Sequence, residues 1–152
     1  MSRYEHIFAK SDGTPLLQHL QDVAKAAEVM AQHWGLSTDM ARKGAHLHDI
    51  GKASPIFQSR LKAEDNLGGD VFRHEIASIF FISLLPDEVD RRAIIEMIAA
   101  HHKSICNDSR ELGLLDLDEN EIRCFKLHSK GFEQWSQEAL GILHELGWET
   151  HP

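Results

Sequence analysis

An all-α bundle is predicted from three observations: apolar residues recur at helical spacing along most of the chain, no stretch alternates convincingly at strand period, and capping residues with prolines punctuate the apolar runs. The first helix is framed by Asp12 or Thr14 as its cap, Pro15 in its first turn and Gly35 at its end, with an expected apolar face of Leu16, Leu20, Val23, Ala27, Met30 and Trp34. Ser37 or Thr38 opens a second helix running to about Ile50, and Gly51 follows where the chain must turn. Ser54-Pro55, a cap and a first-turn proline, starts a short third helix carrying Ile56, Phe57 and Leu61. Residues 63–70, with Gly68-Gly69, read as a loop. A fourth helix is expected from about Phe72 to Leu85, stopping at Pro86. It is apolar on most sides after Glu75, which places it centrally. A fifth runs from about Glu88 to His101 or His102. Residues 104–117 look irregular, and two further helices are expected near Glu119–His128 and Phe132–Leu146. The sum is an irregular bundle of about six to seven helices, with no repeat, low-complexity tract or interdomain linker.

The 152 residues suit one ordinary domain, and a hydrophobic content of 42% is that of a globular chain. No apolar run approaches the roughly 20 residues needed to span a bilayer. The start, MSRYEHIFAK, lacks the layout of a signal peptide. A cytoplasmic protein with no membrane partner is therefore expected. Cys106 and Cys124 fit a reducing compartment and are too few and too far apart for a cysteine zinc site. A formal charge of −8 would repel nucleic acid in bulk. Bound divalent cations or a basic partner would reverse that potential locally.

The 11 histidines carry more information. His6, His33, His128, His144 and His151 read as solvated or packed residues, and His46 points to a different side of its helix from His48. His19, His48-Asp49, His74 and His101-His102 instead fall at helix ends or beside apolar stripes, where side chains from several helices converge. Imidazole and carboxylate together suit first-row transition ions such as Mn, Fe, Co, Ni or Zn, with Mg also admissible. One carboxylate can bridge two ions, which a histidine cannot do. The economical arrangement has two ions sharing Asp49, with His19 and His48 on the first and His74, His101 and His102 on the second. Such a pair can activate a water and stabilise the leaving oxygen of a phosphodiester. Asp22, one turn after His19, either hydrogen-bonds a ligand or lies on a solvated face. Glu75 either supports His74 or simply answers the helix dipole.

The string His46-Leu47-His48-Asp49-Ile50-Gly51-Lys52 resembles the signature of the HD phosphohydrolase superfamily. With His19 in LLQHLQDVA, Arg73-His74-Glu75 and the doublet in AAHHKS, the chain is similar to the HD nuclease of type I CRISPR systems over roughly its first two-thirds. The resemblance implies an HD-domain fold and the same ligand sets, with Asp49 bridging. It also implies a catalytic role for Lys52 near the scissile phosphate, where an ammonium offsets developing negative charge. Phe57-Gln58 matches a family feature without a derivable role. The family carries a further aspartate in a later helix, and Asp116 and Asp118 do not sit in a matching context. The expectation is one HD nuclease domain over residues 1–152, truncated before its last helices. The implied activity is hydrolysis of single-stranded DNA in CRISPR antiviral interference, beside a helicase domain or subunit and a surveillance complex. Two alternatives stand beside it: an HD phosphohydrolase of small or cyclic nucleotides, and a metal-binding docking domain with weak or no catalysis.

Overall fold

The computed structural model describes residues 2–62, 72–101 and 121–149. These form seven α-helices: α1 (Leu16–His33), α2 (Thr38–Leu47), α3 (Pro55–Leu61), α4 (His74–Ile79), α5 (Arg91–Ala100), α6 (Glu121–His128) and α7 (Phe132–Glu145). Short 3-10 turns at Ile50–Ala53 and Phe80–Leu84 complete the regular structure. No strand occurs among the described residues, only an isolated bridge between Phe8 and Pro15. The all-α HD-type bundle is therefore the observed fold. No described helix is long and apolar enough to cross a membrane. The expected loop at 63–70, the irregular stretch at 104–117, Cys106, His102 and His151 lie outside the described residues.

Local chemistry sets most helix starts. Ser37 caps α2 by accepting from the Met40 amide at 3.2 Å, and Ser54 caps α3 by accepting from Ile56 at 3.3 Å. Asp90 accepts from Ala93 at 3.1 Å, so α5 begins at Arg91 and not at the expected Glu88. At α1 the carboxylate of Asp12 accepts from both the amide and the hydroxyl of Thr14, fixing the preceding turn, while Pro15 itself takes the cap position. Gly35, at φ 67°, ends the run in the left-handed region.

The face of α1 differs from expectation. Leu16, Leu17, Leu20, Ala24 and Ala31 are buried, whereas Met30 and Trp34 are 49% and 66% exposed. The last turns of α1 carry these side chains on its solvent side, a fact that helical spacing alone does not encode.

Two further departures shape the functional end of the bundle. The second helix stops at Leu47, short of Ile50, and the chain tightens into the first 3-10 turn, leaving His48 and Asp49 at a corner. The fourth helix likewise gives way to 3-10 geometry at Phe80. Gly51 was expected to serve a turn, yet it is absent from the positive-φ glycines. Its role is close approach: a Cβ there would stand 2.1 Å from the His74 carbonyl oxygen and 2.7 Å from the Ser78 nitrogen. The Gly51 amide donates to Ser78 Oγ at 2.9 Å, and that hydroxyl donates to the His48 carbonyl at 3.2 Å. The His48-Asp49 corner is thus stitched directly onto α4.

The core beneath that corner is aliphatic. Leu16, Leu20, Leu47, Ile50, Ile94, Ile98, Ile142 and Leu143 have no exposed surface. Each contributes roughly 1.5–3 kcal/mol by burial. Phe80, Phe81, Phe132 and Trp135 form an aromatic cluster between the second 3-10 turn and α7, with ring centroids 5.0–5.7 Å apart.

Candidate metal centre

The buried Asp49, 2% exposed, is the hub of the site. Its Oδ2 lies 2.8 Å from His19 Nε2, 3.2 Å from His48 Nε2 and 2.7 Å from the Lys52 ammonium, which donates to it. Its Oδ1 lies 2.9 Å from His74 Nε2 and 3.3 Å from His101 Nε2. The two imidazoles on the Oδ1 side stand 3.4 Å apart, nitrogen to nitrogen. Five residues anticipated from sequence thus meet around one carboxylate, brought there by α1, the end of α2, the start of α4 and the end of α5. The fifth anticipated histidine, His102, lies outside the described residues.

Helix ends orient two of the rings. Carbonyls of a last helical turn lack intrahelical partners. At the end of α2 the Ala45 carbonyl lies 2.6 Å from His48 Nδ1, and at the end of α5 the Ile98 carbonyl lies 2.5 Å from His101 Nδ1. A ring held through Nδ1 in this way turns its Nε2 into the site, the atom such a ring offers a metal. Both Nε2 atoms face Asp49.

Charge and burial are in tension here. Burial pushes the Asp49 carboxyl up, but the close imidazoles of His101, His19, His48 and His74 outweigh it and hold the group far below the usual carboxylate range. It is ionised at any working pH. Burial lowers the His74 pKa despite the opposing pull of Asp49, so that ring favours its neutral form. Among the described residues Asp49 Oδ1 accepts no well-aligned hydrogen bond, although two imidazole nitrogens crowd it. A buried acceptor left in that state costs about 1–3 kcal/mol, and more when charged.

A cation fits this arrangement. Metal–ligand bonds of about 2.0–2.2 Å give donor–donor edges of about 2.9 Å in an octahedron and about 3.4 Å in a tetrahedron. The nitrogen–oxygen separations in both halves, 2.8–3.3 Å, and the 3.4 Å between His74 and His101 Nε2 span that range. Two ligand groups of this kind share Asp49: His19, His48 and Asp49, and Asp49, His74 and His101.

Other anticipated residues fall around the hub. Glu75 is buried, pairs with Arg73 Nε at 2.7 Å, and has an oxygen 3.8 Å from His74 Nδ1, beyond hydrogen-bond reach. Burial raises its pKa, but backbone hydrogen bonding and Arg73 prevail and keep it low. Asp22 is exposed and accepts from Gln18 at 2.9 Å, so it faces solvent and leaves His19 unsupported from that side. His46 is buried away from the hub and accepts from the Trp148 indole at 2.9 Å. Burial, aided by Arg42, lowers its pKa to about 4. His128 packs against Phe72 and accepts from the Arg73 amide at 2.8 Å. Asp116 and Asp118 lie outside the described residues.

Phe57 and Gln58, silent in the sequence, acquire roles. The Phe57 ring packs edge-on to His74 with centroids 5.2 Å apart and lies 5.5 Å from the Lys52 ammonium. The Gln58 amide donates to the carbonyls of Phe8 and Lys52 at 2.8 and 2.7 Å, and its oxygen accepts from the Phe8 amide at 3.0 Å. It ties the N-terminal segment to the turn that carries Lys52. That tie joins residues 50 positions apart, so no local pattern announces it.

A helical bundle whose His-Asp corner gathers further imidazoles around one buried carboxylate defines an HD-type metal-dependent hydrolase. Residues 8–146 match the family described as Cas3, HD domain, and the chain belongs to that family. Curated relatives carry a different name. The chain is 48% identical over 105 residues to Ribonuclease Y of Pseudothermotoga lettingae, covering 67% of this chain and 18% of that protein. It is 33% identical over 95 residues to Ribonuclease Y of Thermotoga petrophila, covering 62% and 16%. Ribonuclease Y of Fervidobacterium nodosum is 34% identical over 95 residues, with the same coverage. The chain thus spans less than a fifth of the length of these relatives. No solved structure matches.

Proposed function

We propose that this chain is the nuclease domain of a CRISPR interference system, hydrolysing phosphodiester bonds of single-stranded DNA with two divalent ions. The observation that carries the reading is the division of Asp49: one oxygen faces His19 and His48, the other faces His74 and His101. In this reading His19 and His48 would hold the first ion and His74, His101 and His102 the second, with Asp49 shared between them. The ions, when bound, supply an activated water and charge stabilisation at phosphorus. The chain's own groups do the rest. His48 and His101 are oriented by backbone carbonyls, and Lys52 reaches the phosphate oxygens from the turn next to Asp49. Phe57 walls the space beside His74. Gln58 fixes the turn from behind. Residues 1–152 act as one HD domain in the cytoplasm, and a helicase domain or subunit with a surveillance complex delivers the strand. The family match supports the DNA substrate and these partners.

A second reading, cleavage of single-stranded RNA by the same centre, draws on the name shared by the Ribonuclease Y relatives. One experiment separates the two. Circular single-stranded DNA and a single-stranded RNA of matched sequence are incubated with the protein and Mn²⁺, Ni²⁺, Co²⁺ or Mg²⁺, beside EDTA and Asp49→Ala controls. DNA cleavage abolished by both controls is expected. Cleavage of RNA alone would favour the second reading, and cleavage of neither, with metal bound, would remove both.

A further inference from the structure

The two oxygens of Asp49 are in different states. Oδ2 is saturated: it takes the Lys52 ammonium at 2.7 Å and has His19 and His48 at 2.8 and 3.2 Å. Oδ1 is buried and accepts no well-aligned hydrogen bond among the described residues. Lys52 is itself 9% exposed, and its ammonium lies on the oxygen that the first ion would need. An ammonium and a divalent ion on one carboxylate oxygen repel each other strongly in a buried site. Lysine is also a mobile point charge on a flexible stem. The Phe57 ring, 5.5 Å from Nζ, lies beside that charge.

We propose that Lys52 is a displaceable internal cation, holding the His19–His48–Asp49 half closed to metal until a phosphate group draws its ammonium away. The inference rests on the two-ion reading above. The half built on Oδ1 loads first, because an ion there relieves an unsatisfied carboxylate oxygen and evicts no charge. The half built on Oδ2 loads second, and its affinity is coupled to phosphate. Premature loading of a full two-ion centre is thereby avoided until a phosphodiester has arrived. Repulsion between two ions would by itself make their affinities unequal, so the discriminating observation is the dependence on Lys52.

The test is calorimetric titration of the whole chain with Mn²⁺, using Asp49→Asn to subtract ions bound elsewhere. Lys52→Met is expected to tighten the second ion by about tenfold or more, whereas Lys52→Arg, which keeps a cation, leaves it weak. Millimolar inorganic phosphate tightens the second ion in the wild type and has no such effect in Lys52→Met. Circular dichroism establishes that each variant is folded, and Lys52→Gln carries the same arm should the methionine variant fail to fold. A second-ion affinity within twofold of wild type in the neutral variants, or a single ion in wild type and variant alike, overturns the proposal. A protein that shows this loading order yet leaves DNA and RNA intact would remove the substrate reading and keep the loading order.

Discussion

Replacing Gly51 by alanine isolates the contact that fastens the His48-Asp49 corner to α4. The added Cβ would meet the His74 carbonyl oxygen at 2.1 Å, the Ser78 nitrogen at 2.7 Å and the Ala77 Cβ at 2.9 Å. Two of these are backbone atoms, so no rotamer change relieves them. Carbon contacts settle near 3.5–4.0 Å, so the turn and the helix must part by roughly 1 Å or more. Overpacking of this kind costs typically 1–3 kcal/mol, and a backbone obstruction belongs at about 3. For a chain of this size that lowers Tm by about 6–12 °C. The same displacement opens the 2.9 Å approach of Asp49 Oδ1 to His74 and weakens Mn²⁺ binding by about tenfold or more. Gly44→Ala is the internal control. Its Cβ meets only the Met97 terminus closely, at 2.3 Å, and that side chain is 40% exposed and free to swing out. Because alanine is the better helix former by about 1 kcal/mol, Gly44→Ala should be neutral or stabilising. Thermal unfolding followed by circular dichroism, with calorimetric Mn²⁺ titration, reads both variants. A Gly51→Ala protein with Tm within about 2 °C of wild type and unchanged metal affinity would refute the close-approach argument.

Three further outcomes are expected. Gln58→Ala removes three hydrogen bonds that tie Phe8 to the Lys52 turn, and urea unfolding should show a loss of about 2–3 kcal/mol. His46 accepts from Trp148 only when neutral, and its pKa falls from 6.5 unfolded to about 4 folded. Between those values the unfolded chain binds the extra proton, so stability is intact above pH 6.5 and declines as pH falls towards 4, by on the order of 2–3 kcal/mol. His46→Gln, which can accept without titrating, should flatten that part of a stability–pH curve; an unchanged slope would discard the assignment. Saturating Mn²⁺ or Co²⁺ should stabilise the fold by about 2.7 kcal/mol at a hundredfold excess over Kd, visible as a raised Tm that Asp49→Asn abolishes.

Much of this was legible in the sequence where local chemistry decides. Ser37, Ser54-Pro55 and the glycine at 35 mark their boundaries because caps and left-handed turns act over three or four residues. His48-Asp49 was legible because an ionisable pair at a helix end beside apolar stripes has few structural reasons to exist, and His19, His74 and His101 were legible together with it, from their positions and the motif order that resembles the HD family. What escaped was set by tertiary approach. The chain leaves α-helical geometry at Leu47 and Phe80 where the corner docks on α4, and no residue near Leu47 signals that neighbour. Gly51 looked like a turn residue because spacing cannot tell a left-handed glycine from one that admits another backbone. Trp34 and Met30 looked internal because periodicity identifies a stripe without saying which turns of the helix are covered. The hold of Lys52 on Asp49 was also unseen, since the same spacing that suits a phosphate ligand suits an ion pair three residues apart.

One carboxylate serving two ions is the centre of the proposed chemistry. Anomalous diffraction from crystals equilibrated with saturating Mn²⁺ and inorganic phosphate tests it most directly. Two Mn²⁺ peaks are predicted, one among His19, His48 and Asp49 and one among Asp49, His74 and His101, each in contact with its own oxygen of Asp49. Ordered Mn²⁺ that leaves Asp49 unligated, or a single ion held by both oxygens together, would contradict it.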